Sequence, residues 1–101
     1  MLHIINKSPF ENNSLVSCLR VAGAAKGHAI LFIEDGVYGA TQGTAVEKSV
    51  RDAMANMAVY ALNPDLEARG VQGRVMDGVK LVDYDGFVDL VADHDNVQSW
   101  L

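Results

Sequence analysis

The chain carries a single cysteine, Cys18, among its 101 residues. One thiol cannot close an internal disulfide, which excludes a disulfide-stapled secreted scaffold. It also leaves no CxxC pair and no resolving cysteine within the chain. Long hydrophobic runs are missing as well. The longest, Ala29 to Ile33, is far too short to cross a bilayer as a helix, so no membrane association is expected. Positive charge is scarce: eight Lys and Arg stand against thirteen Asp and Glu, a net charge of −5. The basic residues are scattered and form no stripe, which disfavours direct binding to a phosphate backbone. The mild acidic excess reads as a solubility feature. The segment Met1 to Lys7 lacks the basic start and apolar core of a signal peptide, and with one cysteine this gives the expectation of a reducing cytoplasm.

Half of the residues are hydrophobic, enough to build one core, and the length suits one domain spanning residues 1–101. Leu2 to Asn6 reads as a strand. Lys7 to Asn13 reads as a loop, with Pro9 biasing Ser8 away from helical angles. Asn13 or Ser14 is placed to cap a helix that runs to about Ala22 and stops at Gly23. Leu15, Cys18, Leu19 and Ala22 share one face of it. The unbroken run Ala29 to Ile33 suggests a strand buried on both faces. Glu34-Asp35-Gly36 ends that strand. A short helical turn over Val37–Gln42 and a better helix over Ala45–Asn56 follow.

Val59 to Leu62 reads as a third strand. Asn63-Pro64-Asp65 is a helix start with Asn as the cap, and the helix stops at Gly70. Val71 to Gly78 reads as a loop and Val79 to Val82 as a fourth strand. Asp83 or Asp85 caps a last helix, Phe87 to about Ala92, and Asn96 to Leu101 reads as a tail. Strands alternating with helices predict an α/β fold: one small domain with a mainly parallel sheet and helices on both faces.

In open parallel sheets, sites form beyond the carboxyl ends of the strands. Those ends carry Lys7, Ser8 and Phe10 after the first strand, and Asp35, Gly36 and Tyr38 after the second. These six are the candidate docking residues. Cys18 sits about one turn inside the first helix, and helical side chains lean back toward the N-terminus, here toward the same edge. A thiol near a helix N-terminus can have a lowered pKa and carry sulfur. An unpaired cysteine can equally be a small buried hydrophobe. Both readings stay open on sequence.

Standard sites are absent. Gly36, Gly39 and Gly43 make neither GxGxxG nor a P-loop. His3, His28 and His94 are isolated from one another at metal-ligand spacing, so no metal is expected, and no cofactor motif is present. The serines lack a nucleophile-elbow context. A lone thiolate can still accept sulfur from a persulfide and pass it to a thiol on another chain.

The ordered strings Leu2-His3, Asn6-Lys7-Ser8-Pro9-Phe10, Cys18, Glu34-Asp35-Gly36-Val37-Tyr38, Val59 through Gly70, Val82 through Leu90 and Trp100 resemble the DsrH/TusB family. They cover nearly the whole chain. The resemblance implies a DsrE-like α/β fold and assembly with DsrE/TusD-like and DsrF/TusC-like subunits into a dimer of heterotrimers. It implies a DsrC/TusE-like sulfur acceptor, a leading sulfur-carrying cysteine on the DsrE/TusD subunit, and no activity for this chain alone. Two roles share the scaffold: sulfur trafficking in sulfur oxidation (DsrH) and 2-thiolation of the tRNA wobble uridine (TusB). DsrH proteins have a cysteine in the first helix, so Cys18 points to the DsrH side and to an accessory persulfide carrier. The alternative is a TusB-type subunit with a purely structural and docking role.

Overall fold

The computed structural model describes residues 1–23 and 25–100. The run Ala29–Phe32 is buried at every position and forms β2 at the centre of a five-stranded sheet. Leu2–Ile5 (β1) and Ala58–Leu62 (β3) flank it, Lys80–Val82 (β4) lies outside β3, and Val97–Trp100 (β5) lies outside β1. The order is β4-β3-β2-β1-β5, and every pairing is parallel. Parallel neighbours need crossovers, and the intervening segments supply them.

Ser14–Ala22 (α1) links β1 to β2. A 3-10 segment, Glu34–Ala40, and the helix Glu47–Ala53 (α2) link β2 to β3. Asn63–Ala68 (α3) and a short 3-10 turn, Gln72–Arg74, lead to β4. Tyr84–Asp93 (α4) returns the chain from the β4 edge to the β5 edge.

Strand periodicity sorts the core into two layers. Ile5, Ile30, Phe32, Val59 and Ala61 face one side, where α1 adds Leu15, Cys18 and Ala22, α2 adds Val50 and Ala53, and α3 adds Leu66. Leu2, Ala29 and Leu31 face the other side, covered by Phe87 and Leu90 of α4. Each fully buried Leu, Ile or Phe among them contributes about 1.5–3 kcal/mol of transfer free energy. The expected α/β architecture, with helices on both faces of a parallel sheet, is what the chain forms.

Several local expectations need correction. The residues read as a C-terminal tail form β5: the backbone N–H of Leu2 donates to Asn96 O at 2.9 Å, and Leu2 to Ile5 pair with Val97 to Trp100. Glu34-Asp35-Gly36 do not merely end β2 but open the 3-10 segment. Asn63 does not cap α3; it lies inside the helix and donates through Nδ2 to Glu67 Oε1 at 2.9 Å. The α2 helix is shorter than the expected Ala45–Asn56. Of the two proposed caps for α4, Asp83 is the one used, accepting from Gly86 N at 2.8 Å.

Candidate functional site

At the carboxyl edge the loop after β1 and the 3-10 segment after β2 meet. Gly36 explains how closely. A Cβ placed there would lie 2.1 Å from Ile5 O, so only glycine lets the 3-10 segment back onto the end of β1. Ser8 Oγ accepts from Phe10 N at 3.2 Å, a local turn contact that leaves the Phe10 ring 57% exposed. Ser8, Phe10, Asp35 and Tyr38, joined by Glu11, line a shared cleft of about 370 Å³. Four of the six docking candidates are thus brought together. Lys7 is exposed and lines no part of this cleft. Gly36 is buried, packed against the end of β1, and lines no part of this cleft.

The second strand's end is fastened from α3. Arg69 donates to Asp35 Oδ1 through Nε and Nη2, both at 2.9 Å, and through Nη1 to Asp65 O at 3.1 Å. Asp65 Oδ2 accepts from Glu34 N at 2.7 Å. Glu34 has φ 51°, a left-handed conformation that a non-glycine side chain adopts at a cost. Asp65 therefore holds a strained residue at the head of the 3-10 segment, and Asp35 is an ion-pair acceptor, not a helix cap. Sequence reading placed Asp65 at the helix start after the third strand without its contact to Glu34, and missed Glu11 and Arg69. The pairing of Arg69 with Asp35 spans two crossovers and leaves no local sequence signal.

A larger open cleft, about 680 Å³, lies on the other side of Phe10. It is lined by Pro9, Asn12, Asn13, Ser14, Ser17 and Trp100, together with Phe10 and Glu11. It sits where the strand order reverses at β1, the position that favours ligand crevices in open α/β sheets.

Cys18 reaches neither cleft. It is fully buried between α1 and the sheet. Burial pushes the thiol up from its ordinary 9.0 to about 12, the reverse of the lowering that proximity to a helix start suggested. It is the fifth residue of α1, already past the first turn where the dipole acts. A thiol in this state is overwhelmingly protonated at neutral pH and shielded from attack. Among the described residues, no group of three or more His, Cys, Asp or Glu is placed to hold a metal ion. No described helix is long and apolar enough to cross a membrane.

These features define a class: a small parallel-sheet α/β domain with its one thiol sealed in the core and a cluster of polar and aromatic groups lining a cleft at the carboxyl edge. The chain belongs to the DsrH family; the pattern of DsrH-like proteins matches residues 7–97. It is 36% identical over 100 residues to Protein TusB of Escherichia coli (strain K12), covering 99% of this chain and 100% of the relative. Protein TusB of Escherichia coli O81 (strain ED1a) matches to the same extent. Among solved structures, the ychN protein of E. coli superposes with a TM-score of 0.81 at 18% identity, covering 97% of each chain. Protein MTH1491 of Methanobacterium thermoautotrophicum, described as of unknown function, gives 0.72 at 16% identity over 97% of this chain and 95% of its own. At those identities the two structures speak to the fold alone.

Proposed function

We propose that this chain is a TusB-type subunit of a cytoplasmic sulfur relay, with a structural and docking role in 2-thiolation of the tRNA wobble uridine. In this reading TusD-like and TusC-like subunits join it in a dimer of heterotrimers, the sulfur travels on a partner's cysteine, and a TusE-like protein accepts it. The observation that carries the reading is the contrast between the sealed Cys18 and the exposed edge. A carrier thiol has to reach a persulfide and leave as a thiolate, and Cys18 is buried and held protonated. The cleft formed by Ser8, Phe10, Glu11, Asp35 and Tyr38 is instead open to a partner. The full-length likeness to TusB relatives favours this role over the DsrH-side carrier role that Cys18 alone suggested.

The test uses the reconstituted complex. Cys18→Ala removes the thiol without burying an unsatisfied hydroxyl, and sulfur delivery to the acceptor is expected to continue unchanged. A charge reversal at Asp35 combined with Phe10→Ser is expected to weaken partner binding or transfer while the chain stays folded. Loss of transfer in Cys18→Ala, with the complex still assembled, would overturn the docking role and restore the carrier.

A further inference from the structure

His3, isolated in sequence from the other histidines, is the most buried titratable imidazole of the fold, 1% exposed on β1. Trp100 Nε1 donates to His3 Nδ1 at 3.0 Å, and His3 Nε2 lies 2.9 Å from His28 Nδ1. An indole nitrogen only donates, which fixes the direction of the whole chain. His3 Nδ1 must be the acceptor, so its neutral form carries the proton on Nε2. His3 Nε2–H therefore donates to His28 Nδ1, and His28 keeps its own proton on Nε2. Three rings from three places in the sequence form one hydrogen-bonded series with a single permitted polarity. The rings are also packed: the His3 and His28 centroids are 5.1 Å apart and the His3 and Trp100 centroids 6.1 Å apart.

The series runs between the two edges of the sheet. Trp100 walls the 680 Å³ cleft at the carboxyl edge. His28 lines a second cleft at the amino edge, with Asn56, Gly78 and Lys80. A proton added to His3 puts N–H on Nδ1, facing the indole N–H. A proton added to His28 at Nδ1 faces His3 Nε2–H. His3 relieves that second conflict only by moving its own proton to Nδ1, which carries the conflict to Trp100. Either proton ends as two donors face to face.

The geometry points to a protonation-controlled latch: Trp100, His3 and His28 hold the indole of edge strand β5 only while both imidazoles are neutral, and a proton on the pair releases Trp100 from the wall of the carboxyl-edge cleft. The charged surroundings agree. Burial, then His28, then the α-amino group of Met1 hold the His3 pKa below its ordinary 6.5. That α-amino group is itself anchored to Gly27 O at 2.9 Å. On the neighbouring elements, β2 and β5 bring no titratable side chain, and α1 brings only the neutral Cys18 and the exposed Arg20. Lys80 of β4 lines the same cleft as His28, with its Nζ over the Tyr60 ring at 5.7 Å. No carboxylate in this set favours the charged imidazoles.

Trp100 is the chain's only tryptophan, so its signals are unambiguous. The test follows indole Nε1–H exchange by NMR and Trp100 fluorescence on the full chain from about pH 8 to about pH 5, with far-UV circular dichroism in parallel. Indole exchange, corrected for its intrinsic pH trend, is expected to rise about five- to tenfold, the size expected for one lost hydrogen bond. The His3 step is expected below the ordinary 6.5, with dichroism unchanged. His28→Ala removes one of the groups that disfavour charge on His3 and is expected to move the midpoint to higher pH. His3→Gln keeps an acceptor for the indole and is expected to abolish the transition; if that variant does not fold, the His28→Ala midpoint decides alone. A flat response, a midpoint unmoved in His28→Ala, or a change that coincides with loss of dichroism would each overturn the latch.

Discussion

At Cys18 two effects of opposite sign compete for the thiol proton. The helix dipole favours the thiolate, but it fades within the first turn, and Cys18 is the fifth residue of α1. Desolvation penalises the thiolate and acts on a fully buried group without relief. Burial wins, and the thiol stands at about 12. The sequence contained the relevant clue, since Leu15, Leu19 and Ala22 share the face of Cys18; what it lacked was the depth of that face in the fold. Native-state alkylation at neutral pH is therefore expected to be slow and to accelerate only with denaturant, and a mass-shift time course checks it. Gly36 was legible as a strand-end residue and docking candidate. Its real constraint is the 2.1 Å approach of a hypothetical Cβ to Ile5 O. Gly36→Ala is expected to cost at least the ~1–3 kcal/mol typical of overpacking, because the obstacle is backbone that cannot rotate away. A denaturant midpoint shift measures this.

Among the elements, those with unbroken apolar character were the easiest to read. β2 and β3 appear in the sequence as runs because the sheet buries them, and periodicity then places α1 on its face. β5 was not legible. Val97, Gln98 and Ser99 are all exposed, and what makes the segment a strand is its pairing with β1 from the far end of the chain. The same holds for the α3 clamp, whose Arg69 and Asp65 act on Asp35 and Glu34 about thirty residues upstream. The clamp's contacts to Asp35 and to Glu34 differ in kind. The Asp35–Arg69 pair is largely exposed on the Asp35 side, and such pairs are worth about 0–1 kcal/mol. The Asp65–Glu34 bond holds a strained backbone, so removing it leaves both the donor and the strain. Asp65→Ala is expected to destabilise by about 1–2 kcal/mol, more than Asp35→Ala, and thermal melts of the two variants give the order. The reverse order would place the stabilisation in the ion pair.

For the molecule as a whole, the buried groups set both ends of the pH range. Cys18 has its folded pKa raised, so the fold favours its neutral form. Its contribution is fully present below the ordinary 9.0 and is lost as pH rises from there through about 12. His3 has its folded pKa lowered, so the unfolded chain binds the extra proton more readily. Its contribution is fully present above the ordinary 6.5 and is lost as pH falls through the lower folded value. Glu47, lowered first by the backbone N–H of Gly43, adds a third loss farther to the acid side, below its ordinary 4.5. The stability of the domain is therefore expected to be flattest between 6.5 and 9.0. It declines on the acid side first through a single buried imidazole, and on the alkaline side through a single thiol. Urea midpoints taken below 6.5 and above 9.0 as well as between them test the assignment group by group: Cys18→Ala removes the alkaline decline and leaves the acid one, whereas His3→Gln removes the first step of the acid decline and leaves the Glu47 step and the alkaline decline in place. An alkaline decline that survives in Cys18→Ala would assign it to another group and reopen the question of how deeply the thiol is sealed.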